Sequence, residues 1–420
     1  MLIQALVLSA LTVSTPPQDA PILLTGAHVL ALDGTSWLEG HALLLHEGHV
    51  ERVAPAASIE VPEGTVVHAL DGLYLTPGLI DLHTHLVLHP YDETSWNDQV
   101  LKESLELRTI RGVVAARATI EAGFTTIREL GTEGAGFADV ALRDAVNLGL
   151  IPGPRILTAT RALVATGCYG PSGFDPRWDV PKGAQVVDGP LAMRVAVREQ
   201  IAAGADWIKV YADYRRKPGD ASTPTFTLEE LRAAVHEATS AGVPVAAHAS
   251  TDEAIRRAVE AGVRTIEHGT GASAEVLELM REHRVALVPT LAAGDAIARY
   301  SGWNGEQPDH PRVVAAKAMF RRALDSGVTI ACGGDAGVFT HGTNARELEL
   351  MAEYGMTPAQ ALRSATLTAA DVLERDDLGR IAPGAVADLV AWTGDPLTGA
   401  GHLRAPALVM RAGELVVVAR

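Results

Sequence analysis

From Gly78 onward the chain repeats one pattern eight times: a short apolar run, then a stretch with helical spacing. The runs are LIDLHTHL (79–86), FTTIREL (124–130), RILTAT (155–160), DWIKVYA (206–212), VPVAAHA (243–249), RTIEHG (264–269), VALVP (285–289) and VTIACGGD (328–335). Between them, segments such as LKESLELRTIRGVVAARATIEAG (101–123) and FTLEELRAAVHEATSAG (226–242) place apolar residues three and four apart, as an amphipathic helix does. Thr227 with Glu230 has the form of a capping box, and Thr357 stands before a first-turn proline, Pro358. Eight β/α units in succession are what a closed parallel barrel requires. Residues 71–377 are therefore expected to form a (β/α)8 TIM barrel, an α/β fold.

The two ends differ from this middle. ILLTGAHVLAL, HALLLHEGHVERVAP and TVVHALDGLYL near the start, and DLVAW and ALVMRAGELVVVA near the finish, are strand-like runs punctuated by glycine. Neither end has enough strands to close a core alone. Residues 22–70 and 378–420 are expected to combine into one small β-sandwich.

A chain of 420 residues, 47% of them apolar, can bury a large barrel and a small second domain. Its net charge of −16 argues against nucleic acid or an anionic membrane as partner. Two cysteines, Cys168 and Cys332, exclude a disulfide framework and leave a single bridge open. The opening MLIQALVLSALTV is too short to span a bilayer. Followed by STPPQDA, it reads as a signal peptide and linker over residues 1–18, although no basic residue precedes it. A periplasmic or secreted location follows, with the cytoplasm as the alternative. No other run is long enough for a membrane helix, and homo-oligomerisation is left open.

The chemistry gathers at the ends of the apolar runs. His83 and His85 are two apart on a strand, so both imidazoles face one side. A packed core accounts for one such histidine more readily than for two, and imidazole is a favoured metal ligand. Lys209 shares a strand face with Trp207 and Tyr211. A lysine inside a barrel is costly unless neutralised, paired or modified; a solvent-reaching strand end or a Schiff-base lysine are the other readings. His248, His268 and Asp335 close three later runs. Five of eight strands ending in ligand-type residues is hard to reach by chance.

PGLIDLHTH, the IKVY lysine, AHA, IEHG and GGDAG, in this order, together with TPAQALRSATLTAADVL and LGRIAPGAVADLVAW, resemble the binuclear amidohydrolase superfamily. The likeness covers about residues 22–415. It is nearer to the bacterial branch of Xaa-Pro and Xaa-Arg dipeptidases and ochratoxin-degrading amidohydrolases. It implies two divalent ions, zinc preferred, with His83, His85 and Asp335 on one and His248 and His268 on the other. Lys209 would be carboxylated and bridge them. The reaction implied is hydrolysis of an amide (C–N) bond in a dipeptide or N-acyl amino acid by a metal-bridging hydroxide, with Asp335 shuttling the proton to the leaving amine.

Substrate contacts are expected from the longer loops, 86–98, 160–189, 212–227 and 289–310, above the strand ends. Tyr211 is a candidate to hydrogen-bond the developing oxyanion, or a packed ring. His341, in the HGTN turn, is expected to be an exposed catalytic-loop residue. Tyr169 in TGCYG stands where related sequences often carry histidine, a departure from the pattern. Arg215 and Arg216, with Lys217, fit a substrate carboxylate or a solvated charge run. Arg128 is expected to be a structural ion-pair partner, and Cys332 a small core residue. A one-metal deaminase or cyclic-amide hydrolase would not need Lys209 as a bridge, and a non-catalytic scaffold should lack the ligands.

Overall fold

The structure is a computed structural model that describes residues 20–175, 177–217 and 219–418. The apolar opening on which the export expectation rests lies outside the described residues. No described helix is long and apolar enough to cross a membrane.

The middle of the chain is a ring of parallel pairings. Leu79–Thr84 pairs with Phe124–Glu129, which pairs with Arg155–Thr158. The carbonyl of Thr158 accepts from the backbone N–H groups of Asp206 (2.8 Å) and Trp207 (3.0 Å), which lead into Ile208–Tyr211. That strand pairs with Val245–Ala249, then Thr265–His268, then Ala286–Val288. Leu287 bridges to Ile330, and the segment beyond returns to the first strand: Leu82 N–H donates to Cys332 (2.9 Å) and Asp335 N–H to His83 (2.7 Å). Both faces of these strands are covered, so nearly every residue in them is buried, as parallel sheets demand.

The eighth run is not the regular strand its composition suggests. It forms no continuous ladder: two isolated bridges, Leu287–Ile330 and Thr84–Ala336, and separate backbone hydrogen bonds join it to its neighbours. Gly333 explains the departure: a Cβ there would lie 2.3 Å from Val288 Cγ1 and 3.0 Å from the backbone nitrogen of His83. The chain passes too close to its neighbours for a pleated ladder with side chains.

The long helical run 101–123 is likewise two helices, Trp96–Lys102 and Leu105–Glu121. Glu103 is extended, and Ser104 restarts the helix by accepting from Leu107 N–H at 3.2 Å. Elsewhere the capping signals hold: Thr227 and Glu230 form a reciprocal box, as do Thr357 and Gln360.

The terminal segments make two sheets. One orders His49–Pro55, His41–His46, Ile22–Thr25 and Val66–Ala69. Its hairpin turns at Glu47 (φ 49°) and Gly48 (φ 75°), both positive as a two-residue turn requires. The other interleaves the ends: Leu389–Trp392 pairs antiparallel with both Tyr74–Pro77 and Pro406–Arg411. Leu24, Leu43 and Leu45 from one sheet share a buried cluster with Leu75, Leu389 and Met410 from the other. Each fully buried leucine contributes roughly 1.5–3 kcal/mol.

Candidate metal centre and active site

His83 lies in the first ring strand and His85 one residue beyond its end, their rings 5.3 Å apart. Asp335 Oδ1 stands 3.7 Å from His83 Nε2 and 3.2 Å from His85 Nε2. One ligand atom from each of these three lies within 4.8 Å of the others. His268 continues the cluster 5.1 Å from His83, and His248 follows 4.6 Å from His268, ring to ring. Lys209 sits in the strand paired with that of His248, 1% exposed, and its Nζ has no hydrogen-bond partner among the described residues. The six residues predicted as metal ligands thus sit on neighbouring strands of the ring, with His83, His85 and Lys209 buried and His248, His268 and Asp335 partly exposed.

Two of them depend on unusual backbone. His268 has φ 71° and Asp335 φ 63°, left-handed conformations uncommon for non-glycine residues. Strand alternation would put His268 on the face opposite Glu267. The positive φ turns it back toward the cluster. Strain of about 1–3 kcal/mol per such residue persists only where the surroundings impose it.

The rings are also anchored from behind. His83 Nδ1 lies 2.8 Å from Glu267 Oε2, His85 Nδ1 2.8 Å from the carbonyl of Gly131, and His268 Nδ1 2.7 Å from Thr290 Oγ1. Glu267 also accepts from Arg128 Nη2 at 2.9 Å, and the guanidinium stacks 4.3 Å over Trp207. Sequence reasoning missed Glu267, Thr290 and Asp213. Glu267 left a trace inside IEHG, where its alternation with Thr265 already faced it inward. The partners of Thr290 and Asp213 are far away in sequence and carry no such signal.

Burial is the first cause of nearly every electrostatic shift here. It pushes His83 and His248 well below the usual imidazole value and His268 down to about 4, with Lys209 adding to each. It brings Lys209 itself down to about 8, against the opposing pull of Glu267 and Asp335. Burial is the largest single effect on His85 and disfavours its charge, yet the hydrogen bond and charge of Asp335 with the charges of Glu133 and Glu129 together outweigh it and lift His85 to about 9. Asp335 is held below the usual carboxylate range because His85 overcomes the burial cost. Burial raises Tyr211 well above the usual phenol value, which keeps its hydroxyl protonated as a donor.

The substrate side is aromatic and cationic. Tyr211 stacks on His248 at 4.6 Å and 17°, and Tyr169 lies 4.2 Å from Tyr211. Tyr169 donates to Glu133, a buried carboxylate that also accepts from Trp96 Nε1 at 2.8 Å. Beyond Tyr169 opens a cavity of about 570 Å³ lined by Trp96, Tyr214, Lys182, Arg215, Arg216 and Lys217, among others. Arg215 covers the Tyr214 ring at 5.0 Å. His341 corrects its expectation: it is half-buried rather than exposed, with Nε2 3.2 Å from the carbonyl of Leu88. Burial lowers it to about 4. Cys168 and Cys332 are both buried free thiols, so neither forms the bridge left open by the sequence.

The donor set fits divalent cations: two carboxylate-anchored or carbonyl-anchored imidazoles meet a carboxylate, and an unpartnered buried amine lies beside two more imidazoles. Such a cluster, at the ends of a ring of parallel strands, could hold a metal ion in the place where α/β barrel enzymes carry their sites. Residues 74–418 match the amidohydrolase family, and the chain belongs to it. It is similar to ochratoxinase of Aspergillus niger, 31% identical over 77% of this chain and 71% of that protein. Among solved structures, it resembles a Xaa-Pro dipeptidase with methionine bound in the active site. That likeness has a TM-score of 0.83 and 32% identity, over 94% of this chain and 99% of that one. A prolidase complexed with N-methylphosphonate-L-proline gives the same TM-score, identity and coverage.

Proposed function

We propose that this protein hydrolyses the amide bond of a dipeptide or N-acyl amino acid at a centre for two divalent ions, zinc by preference. In this reading the ring is a (β/α)8 barrel and the terminal sheets form one β-sandwich; Tyr74–Pro77, paired with Leu389–Trp392, moves the expected boundary at residues 70 and 71 to just before Leu79. The observation that carries the reading is the buried Lys209 amine, without a hydrogen-bond partner among the described residues, whose charge acts on His83, His248, His268 and Asp335. A lysine in that position is poorly accounted for by packing. As a neutral amine it adds CO2 and releases a proton, becoming a carbamate anion suited to bridge two cations.

His83, His85 and Asp335 would hold one ion, His248 and His268 the other, and carboxylated Lys209 both. Bound there, such ions lower the pKa of water and polarise a carbonyl. Asp335 accepts the proton of the attacking water and delivers it to the leaving amine. Tyr211, kept protonated, donates a hydrogen bond to the developing oxyanion. Arg215 and Arg216 receive the substrate carboxylate across the cavity, with Tyr169 forming its inner wall. His341 is assigned a supporting place, its Nε2 being already engaged by Leu88. Export to the periplasm or beyond is part of the same reading and rests on residues 1–18.

The test is a screen of zinc-loaded protein against dipeptides and N-acyl amino acids, with metal content measured on the same sample. Turnover of carboxylate-bearing amides at close to two ions per chain is expected. Turnover confined to heterocyclic amines at one ion per chain would replace this reading with deamination.

A further inference from the structure

Three of the four clustered histidines are held by Nδ1, through Glu267, Gly131 and Thr290. His248 is set the other way round. Its Nε2 faces Oδ1 of Asp213 at 3.5 Å. Asp213 is fully buried, and its Oδ2 accepts from the backbone N–H groups of Ser250 (2.8 Å) and Thr251 (2.6 Å) and from the Thr251 hydroxyl (2.8 Å). Oδ1 accepts no hydrogen bond among the described residues. Three donors fix the carboxylate, and its remaining oxygen is withdrawn from water beside one imidazole nitrogen.

We propose that Asp213 is the positioning residue of His248: it selects the tautomer protonated on Nε2 and so leaves the Nδ1 lone pair for a divalent cation. The cation rests on the metal-centre reading above; the tautomer does not. A neutral imidazole carries one donor and one acceptor nitrogen, and the neighbour of one decides the role of the other. An unmet acceptor buried away from water costs about 1–3 kcal/mol, and His248 Nε2, 3.5 Å from Oδ1, is placed to meet it when it carries the proton. The same carboxylate also fixes the Ser250–Thr251 turn that follows His248. It opens the short strand Asp213–Tyr214 that leads to Arg215 and is paired with Thr223–Pro224. One group thereby sets both the direction of a metal ligand and the root of the cationic loop.

Asp213→Asn tests this with almost no change of shape. The amide oxygen must face the three donors, because the NH2 group there would oppose them. The NH2 group then faces His248 Nε2 and favours the opposite tautomer, with the proton on Nδ1. In 15N-histidine NMR of metal-free protein, His248 is expected to be Nε2-protonated in the parent chain and Nδ1-protonated in the variant. Titration with zinc against a chromophoric chelator should show one equivalent bound about 10–100-fold more weakly, with the melting temperature close to that of the parent. An Nδ1-protonated His248 in the parent chain, or a variant with unchanged tautomer and zinc affinity, overturns the proposal. If the parent chain binds no zinc, the metal-centre reading fails instead, and the tautomer of the metal-free parent still decides for or against Asp213.

Discussion

Glu267 holds His83 through a 2.8 Å contact between Oε2 and Nδ1, with both side chains at most 1% exposed. The carboxylate's other oxygen pairs with fully buried Arg128, so one residue joins a candidate metal ligand to a structural cation. Glu267→Gln keeps the shape but leaves Arg128 without a counter-charge. Breaking a buried pair by removing one partner costs about 3–5 kcal/mol, and loss of an outer carboxylate typically weakens metal binding 10–100-fold. Urea unfolding and zinc titration of the variant should show both effects. Stability and affinity equal to the parent would mean that Glu267 only fills space.

Lys209→Ala is expected to abolish loading of two ions. The carbamate is the one side-chain anion proposed to touch both cations, and alanine offers no substitute. Formate or propionate at high concentration should restore part of the metal content by entering the space left behind. Two ions per chain in the variant without added carboxylate would exclude Lys209 as the bridge.

The alternation of strand and helix was legible because its physics is local. Each run carries its own periodicity and several helices their own caps, as Thr227 with Glu230 and Thr357 with Gln360 illustrate. The candidate ligand residues stood out because histidine and lysine are expensive inside apolar strands. What escaped the sequence was set by tertiary approach. The Ser104 restart breaks a run whose apolar spacing is continuous. At Gly333 the chain runs so close to Val288 and His83 that a Cβ has no room. His341 looked like an exposed loop residue, yet the carbonyl of Leu88, far away in sequence, takes it inward.

Asp139 should give folding stability a pH dependence away from the metal centre. It caps the passage out of the strand Arg155–Thr158 by accepting from Thr160 N–H at 2.8 Å. Burial raises its carboxyl from 3.8 to about 6, against the backbone bonds that favour its anion. A raised folded-state value means that the protonated form is favoured by folding. The contribution is therefore complete below about pH 3.8 and is lost as pH rises through about 6. A shift of this size corresponds to about 3 kcal/mol. Urea midpoints measured from pH 4 to pH 7 should fall less steeply for Asp139→Asn than for the parent chain. Parallel profiles would show that Asp139 titrates alike in the folded and unfolded states.

Asp335→Asn separates chemistry from metal binding. Asparagine keeps the size of aspartate and one ligating oxygen, so His83, His85, His248, His268 and carboxylated Lys209 should still retain at least one ion. It cannot take a proton from water or return one to the leaving amine. Removing a positioned general acid/base costs on the order of 10²–10⁴-fold in rate, and kcat should fall by that factor on the dipeptide or N-acyl amino acid that the parent turns over. His85 supplies a second readout. Its lift to about 9 comes chiefly from the Asp335 hydrogen bond and charge, which with the charges of Glu133 and Glu129 overcome burial, so in metal-free Asp335→Asn its imidazole should titrate at lower pH by NMR. Metal analysis on the kinetic sample distinguishes loss of the shuttle from loss of an ion. A variant with both ions, near-parental turnover and an unmoved His85 titration would leave Asp335 a structural ligand.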